Sequence, residues 1–171
     1  MTVTQAIQAR RSIRRFKKGA DITQEQIETM LKAAMMAPSA CNTRPWQFIV
    51  IKDRAKLDAI ASVHPYAKML GDASLAIVVC ALPSVQEGIA EGYFPEDCGA
   101  CTQNILLAAT ELGLGSCWCG VYPKEARIDE MREILGIEDR DIVPFNVIVL
   151  GVADEAPQAR GFFEESKVRY L

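Results

Sequence analysis

The sequence predicts one domain of the α+β or α/β class, built on a central sheet covered on both sides. Three observations point there. Segments with helical spacing of apolar residues alternate along the chain with short β-branched runs. Two of those runs, Leu75-Ala76-Ile77-Val78-Val79-Cys80-Ala81 and the stretch from Ile142 to Leu150, carry no charge, as expected of strands buried on both faces. The segment from Glu96 to Leu112 has few charges on any side, which places it in a core or an interface.

Taken in order, residues 3 to 9 predict a short helix running into Arg10. Thr23-Gln24-Glu25-Gln26 has capping-box spacing, and Ile27, Met30, Leu31, Ala34 and Met35 follow on one helical face. Pro38 stops that helix, and Ser39 to Pro45 reads as a polar loop. Trp46 to Lys52 alternates and is rich in aromatic and β-branched residues, so it predicts a strand. A helix is expected over Asp53 to Ser62, interrupted by His64-Pro65 before Lys68, Met69 and Leu70. The first buried strand follows, ended by Pro83. After the Glu96 to Leu112 helix, Gly113-Leu114-Gly115 closes it, and Ser116 to Gly120 is a short strand or extended loop. Tyr122 to Leu135 predicts an amphipathic helix, and Ile142 to Leu150, with Pro144 inside it, the second buried strand. Beyond Pro157 the tail has little helical pattern; its alternation after Glu164 suggests a strand that needs another sheet to sit on.

With 171 residues, half of them apolar, the chain can bury a full core, and nothing reads as a linker or repeat, so residues 1–171 are expected to form a single domain. The net charge is -3, although six basic residues fall between Arg10 and Lys18. That local cluster in an acidic chain favours a discrete anion over nucleic acid. No apolar run approaches the roughly 20 residues of a membrane span. The opening residues lack the layout of a signal peptide, so a cytoplasmic location is expected, with the six cysteines mostly reduced.

The cluster Arg10-Arg11-Ser12-Ile13-Arg14-Arg15-Phe16 sets four guanidinium groups and a hydroxyl between apolar anchors. Guanidinium is always charged and presents a planar fork of donors suited to phosphate, and Ile13 and Phe16 would pin its backbone. A solvated basic segment is the competing reading of the same residues. Gly113-Leu114-Gly115 is not a dinucleotide turn, because it follows a helix and precedes a strand, the reverse of what that turn requires. Ser39 lacks a nucleophile-elbow setting, and the single histidine, His64, sits beside a proline, which argues against a hydrolase triad. The pairs Cys98/Cys101 and Cys117/Cys119 have short internal spacings compatible with zinc or iron-sulfur binding, against which Cys98 and Cys101 begin an apolar helix where cysteine serves as a small hydrophobe. Lys68 and Arg160 are further cations able to converge with the clamp on one large anion.

The sequence resembles the FMN-dependent nitroreductase family over nearly its whole length. The segment Arg10 to Phe16 looks like the family's opening phosphate-and-flavin motif. Ala37-Pro38-Ser39-Ala40-Cys41-Asn42-Thr43-Arg44-Pro45-Trp46 resembles its P-S-x-x-N-x-Q-P-W loop. Asn104 to Ala109 with Gly113 to Gly120 is similar to its central helix and following strand.

The resemblance implies an α+β three-layer fold with a mixed or antiparallel sheet, and a homodimer with two FMN sites at its interface and the C-terminal strand exchanged onto the partner. It implies NADH or NADPH as electron donor, a ping-pong cycle, and nitroaromatic, quinone-like or related small electrophiles as acceptors. No catalytic side chain is implied, the chemistry belonging to flavin N5, and no metal, nucleic acid or membrane. By the same carry-over Arg10, Ser12 and Arg160 bind the phosphate and ribityl chain with Arg11 nearby, and Arg14 and Lys68 face the N1 and O2 edge. Pro38, Ser39, Ala40 and Asn42 come from the other subunit, while Trp118, Cys119 and Gly120 supply backbone and packing beside the ring. Fixed positive charge at N1 would favour the reduced, anionic ring. Ala40 stands where many relatives have a second serine, Arg44 replaces the usual glutamine, and the connection from Leu82 to Glu96 is short. Two other readings remain: a flavin-binding member with another reaction, such as reductive dehalogenation or ene-type reduction, and a module binding metal through its cysteines or nucleic acid through the basic segment.

Overall fold

A computed structural model describes residues 1–158, 161 and 163–171. The order of elements is α1 (Val3–Ala9), α2 (Gln24–Met35), β1 (Trp46–Ile51), α3 (Arg54–Val63), β2 (Leu75–Ala81), α4 (Phe94–Glu111), β3 (Gly115–Gly120), α5 (Glu125–Leu135) and β4 (Val143–Gly151).

Local sequence explains the helix starts. Thr23 Oγ1 accepts from the Gln26 amide at 3.2 Å, and the Gln26 side chain accepts from the Thr23 amide at 2.9 Å, the reciprocal capping box expected there. Thr2 and Gln5 do the same for α1, and Asp53 caps α3 through the Lys56 amide. Gly113, at φ 73°, ends α4 in the left-handed region, as a glycine just past a helix does.

The four strands lie in the order β1-β2-β4-β3, and each neighbouring pair is antiparallel. A mixed sheet and a parallel α/β arrangement are both excluded for these strands. The two uncharged runs, β2 and β4, take the two central places, where both faces need cover.

Alternation along the strands then builds three layers. Leu75, Ile77 and Val79 of β2 with Ile148 and Leu150 of β4 pack under α2 and α4 against Ile27, Met30, Cys98, Cys101 and Ile105. Ala76, Val78 and Cys80 with Val147 and Val149 face α3 and α5 through Leu57, Ile60, Ile128 and Met131. The register slips between Val79 and Cys80, which pair with Asn146 and Pro144 and leave Phe145 as the extra residue of a bulge. That slip turns Phe145 onto the α2–α4 face with Ile148 and Leu150.

Helix α5 starts at Glu125 rather than Tyr122. Val121 and Tyr122 both donate their amides to Phe145 O, at 3.1 and 3.0 Å, and the Tyr122 ring packs on Phe94 and Phe145, so these residues are held in a turn against β4 just past the end of β3. Helix α4 begins two residues early, with Pro95 in its first turn. From Asp97 to Thr110 none of its residues is exposed, in keeping with a segment that has no polar face. In the tail, the described residues hold a short 3₁₀ turn, Glu165–Lys167, and no strand within this chain; Tyr170 and Leu171 are exposed.

Candidate active site

The basic segment is pinned as its apolar anchors demand. The Ile13 amide donates to Ser116 O at 2.9 Å, Lys17 to Val152 O at 2.9 Å, and the Asp154 amide to Arg15 O at 2.9 Å, so residues 12–17 lie between β3 and the chain leaving β4. Glu155 Oε1 accepts the amides of Arg14 and Arg15. Ile13 and Phe16 are buried in the α3–α5 layer. Glycines make the room: a Cβ on Gly115 would lie 2.9 Å from Ile13 Cγ2, and one on Gly151 2.7 Å from Phe16 Cδ1. The backbone of the segment is thereby fixed, while Arg14, Arg15, Lys17 and Lys18 stay exposed.

Beside this segment lies an open cleft of about 550 Å³, lined by Arg14, Pro65, Tyr66, Lys68, Met69, Cys117, Trp118, Cys119 and Gly120. Clefts for cofactors and small ligands run from about 300 to 1,000 Å³. Its only charged lining residues are cations, Arg14 and Lys68, and neither is paired with a carboxylate side chain among the described residues. Ser12 bridges Ser116, the neighbour of Cys117, and the Arg10 charge is felt at that thiol. The Cys117 thiol is drawn down to about 7 by a hydrogen bond with Cys119, against burial, with help from the charges of Arg14 and Arg10 and a hydrogen bond with Ser12. Of the two thiols Cys117 ionises first, and its neighbour Cys119 is pushed up by it and by burial. While Cys117 keeps its own proton, Cys119 Sγ donates to Tyr66 O at 3.1 Å.

The cleft floor is held from behind by residues whose role has no signal in the sequence. Gly120 O accepts from His64 Nε2 at 3.0 Å and from Arg127 Nη1 at 3.3 Å, and the Arg127 guanidinium lies 5.4 Å over the Tyr66 ring. The Tyr66 amide donates to His64 Nδ1 at 3.2 Å, which fixes the proton on Nε2. Burial lowers the pKa of this histidine.

Of the sequence-predicted site residues, the cleft brings together Arg14, Lys68, Trp118, Cys119 and Gly120, while Arg10 and Ser12 stand near its Cys117 wall without lining it. Arg11 turns away: its Nε donates to Gln158 O at 2.9 Å, and it lines a separate depression with Gly113 and Pro157. Arg160 lies outside the described residues. Pro38, Ser39, Ala40 and Asn42 stand apart from the cleft of their own chain, in the turn leading into β1, the strand at the opposite edge of the sheet from β3. The N-terminal turns of α4 separate the two, for Asp97 takes the Ala40 amide while Gly99, about half a turn round the helix, faces Trp118. Ser39 Oγ accepts the Arg44 amide at 2.9 Å, so it is a turn residue.

The cysteine pairs do not converge. Cys98 and Cys101 are buried on the α2–α4 side of the sheet and Cys117 and Cys119 on the other. Among the described residues no three of His, Cys, Asp and Glu are grouped to hold a metal ion. Burial pushes the Cys101 thiol up to about 12 and Cys98 upward as well, as for inert core cysteines.

The class is an antiparallel three-layer α+β fold with a cleft bearing two cations, Arg14 and Lys68, at one sheet edge. The chain belongs to the Nitroreductase family, whose pattern matches residues 7–64 and 61–152. It is 43% identical over 168 residues to a Methanothermobacter thermautotrophicus protein provisionally named NADH dehydrogenase/NAD(P)H nitroreductase, covering 98% of this chain and 86% of that one. A Bacteroides thetaiotaomicron crystal structure with the same provisional name is 39% identical with a TM-score of 0.91, covering 98% of this chain and 96% of that one. An FMN-dependent nitroreductase from Clostridium difficile R20291 is 30% identical with a TM-score of 0.87, with 96% of each chain covered. No helix of the described residues is long and apolar enough to cross a membrane.

Proposed function

We propose that the chain is a cytoplasmic FMN-dependent oxidoreductase that takes electrons from NADH or NADPH and delivers them to nitroaromatic, quinone-like or related small electrophiles. The observation that supports this reading is one cleft lined by the cations Arg14 and Lys68, with Arg10 and Ser12 near enough to its Cys117 wall to act on that thiol. That donor set fits a flavin mononucleotide, which brings a phosphate, a polar chain and an electron-poor ring edge. When bound, FMN would supply hydride-transfer chemistry at N5, serving the nicotinamide donor and the acceptor in ping-pong order.

The chain's own residues bind and orient. Arg10 and Ser12 hold the phosphate and ribityl chain, with forked donors matched to the oxyanion. Arg14 and Lys68 place fixed charge at the N1–C2=O edge, stabilising the negative charge that reduction leaves there. Trp118, Cys119 and Gly120 pack along the ring. Pro38, Ser39, Ala40 and Asn42, remote from the cleft of their own chain, complete the site of a second copy. A homodimer with two such sites follows, and the tail after Glu164 finds its sheet on the partner.

The visible spectrum of the protein purified without added cofactor tests this. Flavin bands that bleach on adding NADH or NADPH are expected; a colourless protein that takes up no FMN overturns the reading. Arg10→Ala leaves phosphate charge unmatched and is expected to lose flavin on extensive dialysis.

A further inference from the structure

We propose that Asp97 is the positioning residue for the Ser39–Arg44 turn, its buried carboxylate fixing the shape in which that turn is presented to the flavin of a second copy. The inference rests on the reading above that this turn enters a flavin site.

The carboxylate is 6% exposed, and no cation among the described residues pairs with it. Its partners are neutral donors from elsewhere in the chain. The Ala40 amide lies 3.0 Å from Oδ1 and 3.2 Å from Oδ2, and Gln86 Nε2 lies 2.8 Å from Oδ2. Gln86 carries the tie onward, with Nε2 also donating to Thr43 Oγ1 at 3.2 Å, and Thr43 Oγ1 donates to Ala40 O at 2.9 Å. One carboxylate thus grips the turn at Ala40 directly and at Thr43 through Gln86.

Between and after those grips the backbone is costly. Cys41, Asn42 and Arg44 have φ of 48°, 56° and 51°, a region that L side chains disfavour. Such backbone persists where its surroundings over-determine it, and here they do.

Two details separate this role from ordinary helix stabilisation. Asp97 sits early in α4, where the helix favours negative charge, yet its hydrogen bonds go to Ala40 and Gln86 rather than to amides of α4. Gln86 Oε1 is buried without a partner, a cost explained if its amide is held in one orientation by the carboxylate. A buried, unpaired charge is a poor way to gain stability and a good way to impose one conformation.

The test titrates FMN onto the full-length apoprotein, following flavin fluorescence, with circular dichroism and thermal unfolding measured alongside. Asp97→Asn keeps the shape but sets an amide group against a donor; FMN affinity is expected to fall about ten-fold, the equivalent of one charge-assisted hydrogen bond. The double variant Asp97→Asn/Gln86→Glu exchanges charge and amide, lets the new amide at position 97 donate to position 86 while still accepting from Ala40, and is expected to recover most of the loss. A fall in FMN affinity larger than any change in circular dichroism and thermal unfolding is what a merely structural residue would not give. Should Asp97→Asn fail to fold, Gln86→Met removes only the arm to Thr43 and is expected to weaken FMN by a smaller factor. The inference is overturned if the folded variants bind FMN within about two-fold of wild type while Asn42→Ala binds it more weakly. If Asn42→Ala also binds unchanged, the turn does not enter a flavin site, and the reading beneath the inference fails with it.

Discussion

The ring of His64 meets the carbonyl of Gly120, with 3.0 Å between Nε2 and O, and so joins the end of α3 to the edge strand that walls the cleft. Because Nδ1 accepts the Tyr66 amide, the neutral ring with its proton on Nε2 satisfies both partners, and a second proton would break one of them. Burial lowers the folded-state pKa below the ordinary value of 6.5, Arg127 pushes the same way, and Gly120 O and Glu130 oppose. Protonation therefore favours the unfolded chain. The stabilisation is complete above pH 6.5 and is lost as pH falls through the lower folded-state value, with a slope no steeper than about 1.4 kcal/mol per pH unit. Thermal unfolding between pH 7.5 and 5.5 reads this, and His64→Gln, which cannot titrate, is expected to flatten the curve.

Cys117 supplies a second titration. Its thiol is drawn down to about 7, chiefly by the hydrogen bond with Cys119 and further by the charges of Arg14 and Arg10, so Arg14→Ala is expected to raise that midpoint, since an opposite charge is removed. Ultraviolet thiolate absorbance, with Cys117→Ser as the blank, follows the transition. An unmoved midpoint would mean that the guanidinium does not face the sulfur.

Gly151→Ala forces a methyl to within 2.7 Å of Phe16 Cδ1 and 3.3 Å of the Ser74 amide. Overpacking of this kind costs about 1–3 kcal/mol. Urea unfolding measures the loss, and because Phe16 anchors the arginine segment, weaker FMN binding is expected to accompany it. Gly113→Ala, in open space but at positive φ, strains its own turn and spares the clamp.

Lys68 is exposed and its ammonium makes no hydrogen bond or ion pair among the described residues, so Lys68→Ala is expected to leave unfolding nearly unchanged. On the proposed flavin geometry the substitution lowers the cofactor's potential, about 30 mV for each 1.4 kcal/mol of lost stabilisation in a two-electron couple. Equilibration with a reference dye measures it; an unchanged potential would place the ammonium away from the N1 edge.

Much of this architecture is legible from short spans of sequence. The Thr23 capping box, the Gly113 stop and the two uncharged strands are local patterns, and the structure keeps each. Ile13 and Phe16 are readable as anchors because they interrupt a run of arginines. What escapes depends on contacts between distant residues. The bulge at Phe145 follows from pairing with β2, and it is Phe145 that draws Tyr122 out of a helix. Asp97 holding Ala40, 57 positions away, and His64 holding Gly120, 56 away, leave no periodicity behind. Arg11 has the composition of its neighbours and differs only in direction, which spacing cannot reveal.

The cleft stands at the β3 edge of the sheet and the Pro38–Asn42 turn beyond its β1 edge. Under the proposed assembly, a lesion in one and a lesion in the other fall on different halves of each shared seat. Chains carrying Arg14→Ala mixed with chains carrying Asn42→Ala would then form heterodimers in which one seat bears both lesions and the other bears neither. Two inactive preparations would regain activity on subunit exchange, whereas a seat built within a single chain would leave the mixture as dead as its parts.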